Sequence, residues 1–197
     1  MSALPEEADV FDALFVCTGN ICRSPMAQLI LAERLHEQIP EDSKSFLIHS
    51  AGTYGLAGYP IDARAARAIS DLGISGERFL ARELTGEMLA RADVVLTATR
   101  DHRATVVTMS PRASRRTFTI REFGRLCAVV DGSALPTEAV ARAREIVRAA
   151  SDRRGSVPAT YEQDEIADPY GGRQADFGTS VRLIEESLRS FLRLLHR

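Results

Sequence analysis

The sequence predicts a single α/β domain with an open four-stranded parallel sheet and helices on both faces. Three observations lead to this fold class. Short apolar segments alternate with helical patterns in the order β-α-β-α-α-β-α-β-α, and turn residues separate them. No internal repeat interrupts this order. A chain of 197 residues is also long enough for one such domain to bury a core.

Four apolar segments are predicted strands because they are rich in Val, Ile, Phe, Leu and Thr. The second of them runs directly into a glycine turn. Strands that alternate with helices favour parallel pairing with crossover helices. The four segments are DALFVC (12–17), SFLIHSAGT (45–53), DVVLTAT (93–99) and RTFTI (116–120).

Helical patterns lie between and after these strands. In the first helix Ser24 suits the cap and Pro25 the first turn, and Pro40 ends the pattern. The second helix begins at Asp62 and stops at Gly73. Further helices are predicted at about 85–91, 101–108, 121–130, 137–150 and 174–195.

The domain boundaries follow from where this alternation starts and breaks. Residues 1–10 form an acidic N-terminal tail that lacks the features of a secretory signal, and 11–197 form the domain. Residues 131–163 interrupt the rhythm with an amphipathic helix and a polar, irregular stretch. We therefore expect an insertion there, with a mobile loop at about 151–165.

Composition excludes several classes of function. The net charge of −2 gives no field that would recruit nucleic acid, and no apolar run approaches the roughly 18 residues needed for membrane insertion. Three cysteines, two of them in one turn, favour free thiols in a reducing compartment, and so a cytoplasmic location. The four histidines form no metal-ligand pattern, so we expect no metal and no cofactor.

The stretch VCTGNICRSP carries the chemistry. A strand that ends in a glycine turn and continues into a helix can bind an anion through converging backbone amides. Cys17 and Arg23 bracket this turn as Cys-x5-Arg, and an arginine can hold two phosphate oxygens at once. Helix ends and nearby cations favour the thiolate form of cysteine, so Cys17 is a candidate nucleophile. Asn20 can adopt a left-handed backbone, and Ser24 can hydrogen-bond the sulfur.

Phosphate ester cleavage also needs a proton for the leaving oxygen. The stretch DEIADPYGG offers Asp164, Glu165 and Asp168, and Pro169 stiffens the loop just after Asp168. Residue types alone leave the choice among these carboxylates open. They also leave open the structural alternative, a strand–helix joint with a buried thiol.

These residues resemble the low-molecular-weight protein tyrosine phosphatase family. VCTGNICRSP is similar to its phosphate loop, HSAGT to its second-strand motif and DPYGG to its general-acid loop, in the family's order. The resemblance implies its fold, the phosphotyrosine phosphatase I-like one, and a metal-independent hydrolase with a cysteinyl-phosphate intermediate. It implies Cys17 as nucleophile, Arg23 as phosphate clamp and Asp168 as general acid and base.

The resemblance also implies supporting residues and partners. Cys22 would be a redox partner of Cys17. The substrates would be phosphotyrosine-containing proteins, such as a tyrosine kinase of polysaccharide export or signalling proteins. The phosphate loop and its support would comprise Thr18, Gly19, Asn20, Ile21, Cys22, Ser24 and Ser50, and the substrate rim Leu56 and Tyr170.

The sequence departs from the family pattern at residue 79 and in the region 131–163, which is longer than the family's usual connection, and two alternative functions stay open. Phe79 occupies the place of a family histidine that supports the loop asparagine, so we expect a looser or differently organised loop network. A thiol-dependent arsenate reductase on the same fold is one alternative, although only Cys127 remains to relay a disulfide. A non-catalytic phosphopeptide-binding module is the other.

Overall fold

The sheet has four parallel strands in the order β2-β1-β3-β4, which confirms the predicted fold class. A computed structural model describes residues 9–196, so most of the predicted tail lies outside the described residues. β1 is central and pairs with β2 on one side and β3 on the other. The strands are β1 (Phe11–Cys17), β2 (Phe46–Gly52), β3 (Val94–Thr97) and β4 (Thr117–Thr119).

The helices agree closely with the sequence patterns. Asp62 caps α2 by accepting from two backbone amides, and Thr119 and Glu122 form a capping box at the start of α5. Within residues 9–196, no helix is both long and apolar enough to cross a membrane. The helices are α1 (Arg23–Gln38), α2 (Ala63–Ser70), α3 (Gly86–Arg91), α4 (Arg100–Met109), α5 (Ile120–Ala128), α6 (Ala139–Asp152), α7 (Tyr161–Asp164) and α8 (Gln174–Leu195). Short 3₁₀ turns cover Ser43–Ser45 and Pro111–Arg116.

Alternate residues of β1 supply two cores, one on each face of the sheet. Phe11 and Phe15 belong to the larger core, where Phe11 stacks on Phe191 of α8 with ring centroids 6.1 Å apart. Leu14 and Val16 point to the smaller core under α3 and α4. All of these β1 side chains are fully buried, and each contributes about 1.5–3 kcal/mol through burial. This two-sided burial explains why the strand is apolar throughout.

The region 131–163 is more closely integrated than its irregular sequence indicates. α6 places Val140 and Ala143 in the main core. The following segment covers the edge strand β4: Arg154 lies over the Phe118 ring at 4.3 Å and donates to the carbonyl of Thr117. α7 lies within the stretch expected to be an irregular loop, and a capping box at Thr160 begins it.

Gly124 permits the close crossing of α5 and α8. A Cβ at this position would lie 2.4 Å from the backbone oxygen of Ser187, which cannot move without shifting α8. We expect Gly124→Ala to lower the free energy of unfolding by about 1–3 kcal/mol through overpacking. Gly178, exposed on α8 with open space around it, is the matched control. There the same substitution should stabilise by about 0.5–1 kcal/mol.

Urea unfolding followed by circular dichroism measures both values. Equal effects of the two substitutions would show that the crossing tolerates a methyl group and that Gly124 has no packing role.

Candidate active site

The candidate site lies where β1 ends and α1 begins, at the carboxyl edge of the parallel sheet. Cys17 is the last residue of β1 and pairs with Gly52, the last residue of β2. A pocket of about 240 Å³ opens there, and it brings together residues from both ends of the chain. Its lining comprises Cys17, Thr18, Gly19, Ile21, Cys22, Arg23, Tyr54, Leu56, Asp168 and Tyr170.

The backbone of the loop between β1 and α1 is turned so that its carbonyls face away from the pocket. The amides of Thr53, Tyr54 and Leu56 donate to the carbonyls of Cys17, Thr18 and Gly19 over 2.9–3.1 Å. In a trans peptide the C=O and the next N–H point in opposite directions. The amides of the loop therefore face inward, as an anion site requires.

Asn20 holds the turn of this loop. It has φ 56°, the left-handed conformation expected of it. Its side-chain amide donates to the hydroxyls of Ser24 and Ser50, each at 2.8 Å, and its oxygen accepts from the backbone N–H of Arg82. Ser50 in turn donates to Gln28 at 2.7 Å. Asn20 is fully buried and has a partner for both of its side-chain polar atoms.

Phe79 takes no part in this network. The Phe79 side chain is buried in the larger core. The network continues from Ser50 to the side-chain oxygen of Gln28, which accepts the Ser50 hydrogen. The absence of the family histidine therefore leaves the loop asparagine with its hydrogen bonds satisfied. The sequence motifs did not indicate Gln28.

Ser24 contacts the sulfur of Cys17 and does not cap α1. Its hydroxyl lies 3.0 Å from Cys17 Sγ and accepts from Asn20. The prediction of Ser24 as the cap was wrong: α1 begins two residues earlier than a cap at Ser24 implies, with Cys22 at the N-cap and no side-chain cap bond. The hydroxyl is committed to the loop, and this leaves the helix N-terminus free of a capping side chain.

Arg23 is almost completely buried, with 3% of its surface exposed, yet its guanidinium is only partly occupied. It donates to the carbonyl of Ile166 at 3.2 Å and to Thr18 Oγ1 at 3.4 Å, and it pairs with Asp168 at 2.8 Å. Its Nε is buried and has no acceptor among residues 9–196. Three contacts use three of the five N–H groups, so two remain for an anion.

Asp168 reaches the pocket from a loop that is fixed at both ends. Before it, the N–H of Ile166 donates to the carbonyl of Ala98 at 2.9 Å. After it, Arg64 of α2 donates to the carbonyl of Gly172. The Asp168 side chain itself is half exposed. The structure thus places this carboxylate against Arg23, half exposed in the lining of the pocket that Cys17 also lines.

The two other candidate acids have different surroundings. Asp164 is buried, and its carboxylate pairs with Arg100 of α4 and Arg125 of α5. Glu165 accepts from the backbone N–H of Arg100 at 2.8 Å. Both carboxylates hold the chain just before the acid loop, and neither lines the pocket. The sequence offered no sign of the two arginines as partners.

His102 is a second feature that the motifs did not reveal. It lies in the first turn of α4 with Nε2 2.9 Å from Thr18 Oγ1. In the sequence it is one of four scattered histidines, and only the fold brings it behind the loop.

Comparison with known proteins identifies the family. The model of the family described as low molecular weight phosphotyrosine protein phosphatase matches residues 12–131, more than half of the chain. The chain belongs to this family. The matched part contains the loop after β1 and ends before Asp168.

The relatives of similar sequence have names of two kinds, tyrosine phosphatases and arginine phosphatases. The low molecular weight protein-tyrosine-phosphatase Etp of Escherichia coli is 38% identical over 105 residues, 53% of this chain. The chain spans 66% of the length of that relative. A protein-arginine-phosphatase of Geobacillus stearothermophilus is 32% identical over 142 residues, which cover 71% of this chain and 90% of the relative.

Solved structures with the same fold include members of both kinds. The tyrosine phosphatase AmsI of Erwinia amylovora superimposes with a TM-score of 0.66 at 24% identity, covering 98% of this chain and 97% of its own. The YwlE arginine phosphatase of Geobacillus stearothermophilus superimposes with a TM-score of 0.66 at 24% identity. The match covers 93% of this chain and 91% of the YwlE chain. At 24% identity these superpositions show that the fold is shared.

Cys22 lies in the same pocket as Cys17, and its thiol is held in the neutral form. Burial, and next the charge of Asp62, raise the pKa of Cys22 to about 12. If a sulfenic acid forms on Cys17, attack by Cys22 gives a disulfide and releases water. Only the Cys22 thiolate attacks, and its fraction rises about ten-fold per pH unit below this pKa.

After a brief peroxide pulse, we therefore expect the rate of Cys17–Cys22 disulfide formation to rise about ten-fold per unit between pH 7 and 9. Loss of dimedone-reactive sulfenic acid, followed by mass spectrometry, measures this rate. Cys22→Ser should retain the sulfenic acid. A disulfide that forms at the same rate throughout this pH range would contradict a neutral Cys22.

Proposed function

We propose that the chain is a protein-tyrosine phosphatase that acts through a cysteinyl-phosphate intermediate. One observation carries the proposal: Cys17, Arg23 and Asp168 line one pocket, although Asp168 lies far from the other two along the sequence. A nucleophile, an anion-binding loop with unused donors and an accessible carboxylate are the groups that phosphate monoester cleavage needs. Membership of the family supports the same activity.

In the first step the phosphoryl group sits in the loop, with its oxygens on the inward amides and on the free N–H groups of Arg23. The sulfur of Cys17 attacks phosphorus and the bond to the leaving oxygen breaks. Protonated Asp168 gives its proton to that oxygen, so the alcohol leaves neutral. Ser24 lies 3.0 Å from the sulfur and can donate to it, which steadies its negative charge.

The second step releases phosphate. Asp168, now a carboxylate, takes a proton from a water molecule as the water oxygen attacks phosphorus. The sulfur–phosphorus bond breaks, and Cys17 regains its electron pair. Asp168 is then protonated again and Cys17 is ready for the next substrate. Each group ends the cycle as it began, so the residues of the chain account for every proton.

The walls of the pocket favour phosphotyrosine as the substrate. They comprise Ile21, Leu56, Tyr54 and Tyr170, of which Tyr170 is 64% exposed at the mouth. Apolar and aromatic side chains can pack on the two faces of a phenyl ring. A guanidinium would instead need acceptors along the walls, and Asp168 is the one carboxylate in the described lining.

Two other functions have less support. Arsenate reduction by a disulfide relay needs a further accessible thiol, but Cys127 is fully buried and burial raises the pKa of its thiol. A non-catalytic phosphopeptide module would not need an accessible carboxylate beside the nucleophile. The cytoplasmic location, the insertion at 131–163 and a kinase of polysaccharide export as substrate stay predictions.

The role of Asp168 can be tested with leaving groups of graded acidity. Phenolate leaves poorly because the pKa of a tyrosine hydroxyl is about 10. We expect Asp168→Ala to reduce turnover of phenyl phosphate by about 10²–10⁴-fold. Activated aryl phosphates, whose leaving groups depart unprotonated, should lose far less.

Turnover across a series of aryl phosphates measures this dependence, with Glu162→Ala, an exposed carboxylate of α7, as the matched control. Cys17→Ser defines the baseline without the nucleophile. A deficit in Asp168→Ala that is the same for every leaving group would show that Asp168 is not the acid. Substantial turnover by Cys17→Ser would overturn the mechanism.

The substrate class can be tested with matched peptides. Burying a guanidinium without acceptors leaves its donors unpaired, so we expect kcat/KM for a phosphotyrosine peptide to exceed that for a phosphoarginine peptide by at least about ten-fold. Leu56→Ala should raise KM for the phosphotyrosine peptide about five-fold through lost apolar contact. Leu80, exposed and outside the pocket, is the control. A preference for phosphoarginine would assign the chain to the other kind of relative.

A further inference from the structure

A series of hydrogen-bonded side chains leads from the guanidinium of Arg23 away from the pocket and into α4. Thr18 Oγ1 lies 3.4 Å from Arg23 Nη2 and 2.9 Å from His102 Nε2. On its other side, His102 Nδ1 lies 2.6 Å from Thr99 Oγ1. His102 is buried, with 8% of its surface exposed. Both ring nitrogens of this buried histidine are therefore engaged.

The donor and acceptor of each hydrogen bond in this series follow from one arrangement of the hydrogens. The guanidinium of Arg23 can only donate, so Thr18 Oγ1 accepts from it, and the hydroxyl hydrogen of Thr18 is available to donate to His102 Nε2. In that arrangement the ring carries its proton on Nδ1 and donates it to Thr99 Oγ1. Burial, and next the charge of Arg23, lower the pKa of His102 to about 4, against smaller opposite effects of Asp168 and Asp101. The imidazole is therefore neutral near pH 7, as an accepting nitrogen requires.

We infer that His102 is a positioning residue that acts through Thr18: it fixes the Thr18 hydroxyl so that this oxygen holds the guanidinium of Arg23. The inference deepens the proposed function and rests on it. Arg23 Nη2 has two acceptors, Thr18 Oγ1 and Asp168 Oδ2. When Asp168 is protonated to act as the acid, its ion pair with Arg23 is lost. Thr18 then remains on that nitrogen, and His102 keeps it there.

The position of Thr18 makes this support specific to anion binding. Thr18 directly follows the nucleophile, and its carbonyl accepts a hydrogen bond from the backbone N–H of Tyr54, on the side away from the pocket. Its backbone is therefore fixed, and His102 determines the direction of the side chain. A hydrogen bond of this kind contributes about 0.5–1.5 kcal/mol net, which corresponds to about two- to ten-fold in affinity.

The experiment measures the affinity for inorganic phosphate, a probe that needs no turnover, together with kcat and KM for p-nitrophenyl phosphate. His102→Leu and Thr18→Val should each weaken phosphate binding about three- to ten-fold. Because both remove the same contact, the double variant should be no weaker than the worse single one. Thr18→Ser should recover most of the affinity that Thr18→Val loses.

Two controls separate positioning from folding. Thr105→Val removes an exposed hydroxyl from the same helix and should leave phosphate affinity unchanged. Melting temperatures report damage to the fold, and His102→Gln, which restores a polar group, serves if His102→Leu does not fold. His102→Gln should then bind phosphate more weakly than wild type and should not add to Thr18→Val.

Three results would overturn the inference. One is unchanged phosphate affinity in both single variants, whatever their melting temperatures. Another is full additivity in the double variant, which would make the two residues independent. If wild type bound no phosphate at all, both the inference and the proposed function would fail. Phosphate binding without turnover would count against the proposed function alone.

Discussion

The outward orientation of the carbonyls after β1 is the constraint on which the site depends. Amides from the segment after β2 hold these carbonyls, and the loop N–H groups face inward as a result. The two backbones can approach only because β2 ends in glycine. A Cβ on Gly52 would lie 2.3 Å from the carbonyl oxygen of Thr18. The glycine of the HSAGT motif thus serves the anion site of a different segment.

Arg23 joins the two halves of the site. It lies in the first turn of α1, yet its side chain reaches the carbonyl of Ile166 and the carboxylate of Asp168. One guanidinium therefore both binds the anion and positions the acid loop. A movement of the Arg23 side chain would change both. Such a buried polar network is effective only when its members are satisfied together. The unpartnered Nε of Arg23 is one of the two N–H groups at which this network remains open to an anion.

The sequence predicted the sheet and most helices because their patterns are local. Strand burial, the cap at Asp62 and the turn at Asn20 each follow from a few adjacent residues. The site was predictable only where a motif is continuous, as in the loop after β1. Gln28 and His102 escaped because each acts across the fold, at 22 and 84 residues from its partner. Ser24 was misassigned as a cap because cap preference alone cannot show that Cys17 and Asn20, in the same loop, take up the hydroxyl.

The arginines around α7 show how the region after α6 bears on the site. Asp164 pairs with Arg100 and Arg125 from two different helices. Removing such charges from water is costly, so a buried ion pair is weak evidence for stability and is better understood as fixing geometry. Here it fixes the chain two residues before Ile166, whose carbonyl Arg23 contacts. With Gly172 held by Arg64 on the other side, the loop is anchored at both ends and the half-exposed Asp168 side chain is left free to exchange Arg23 for a substrate.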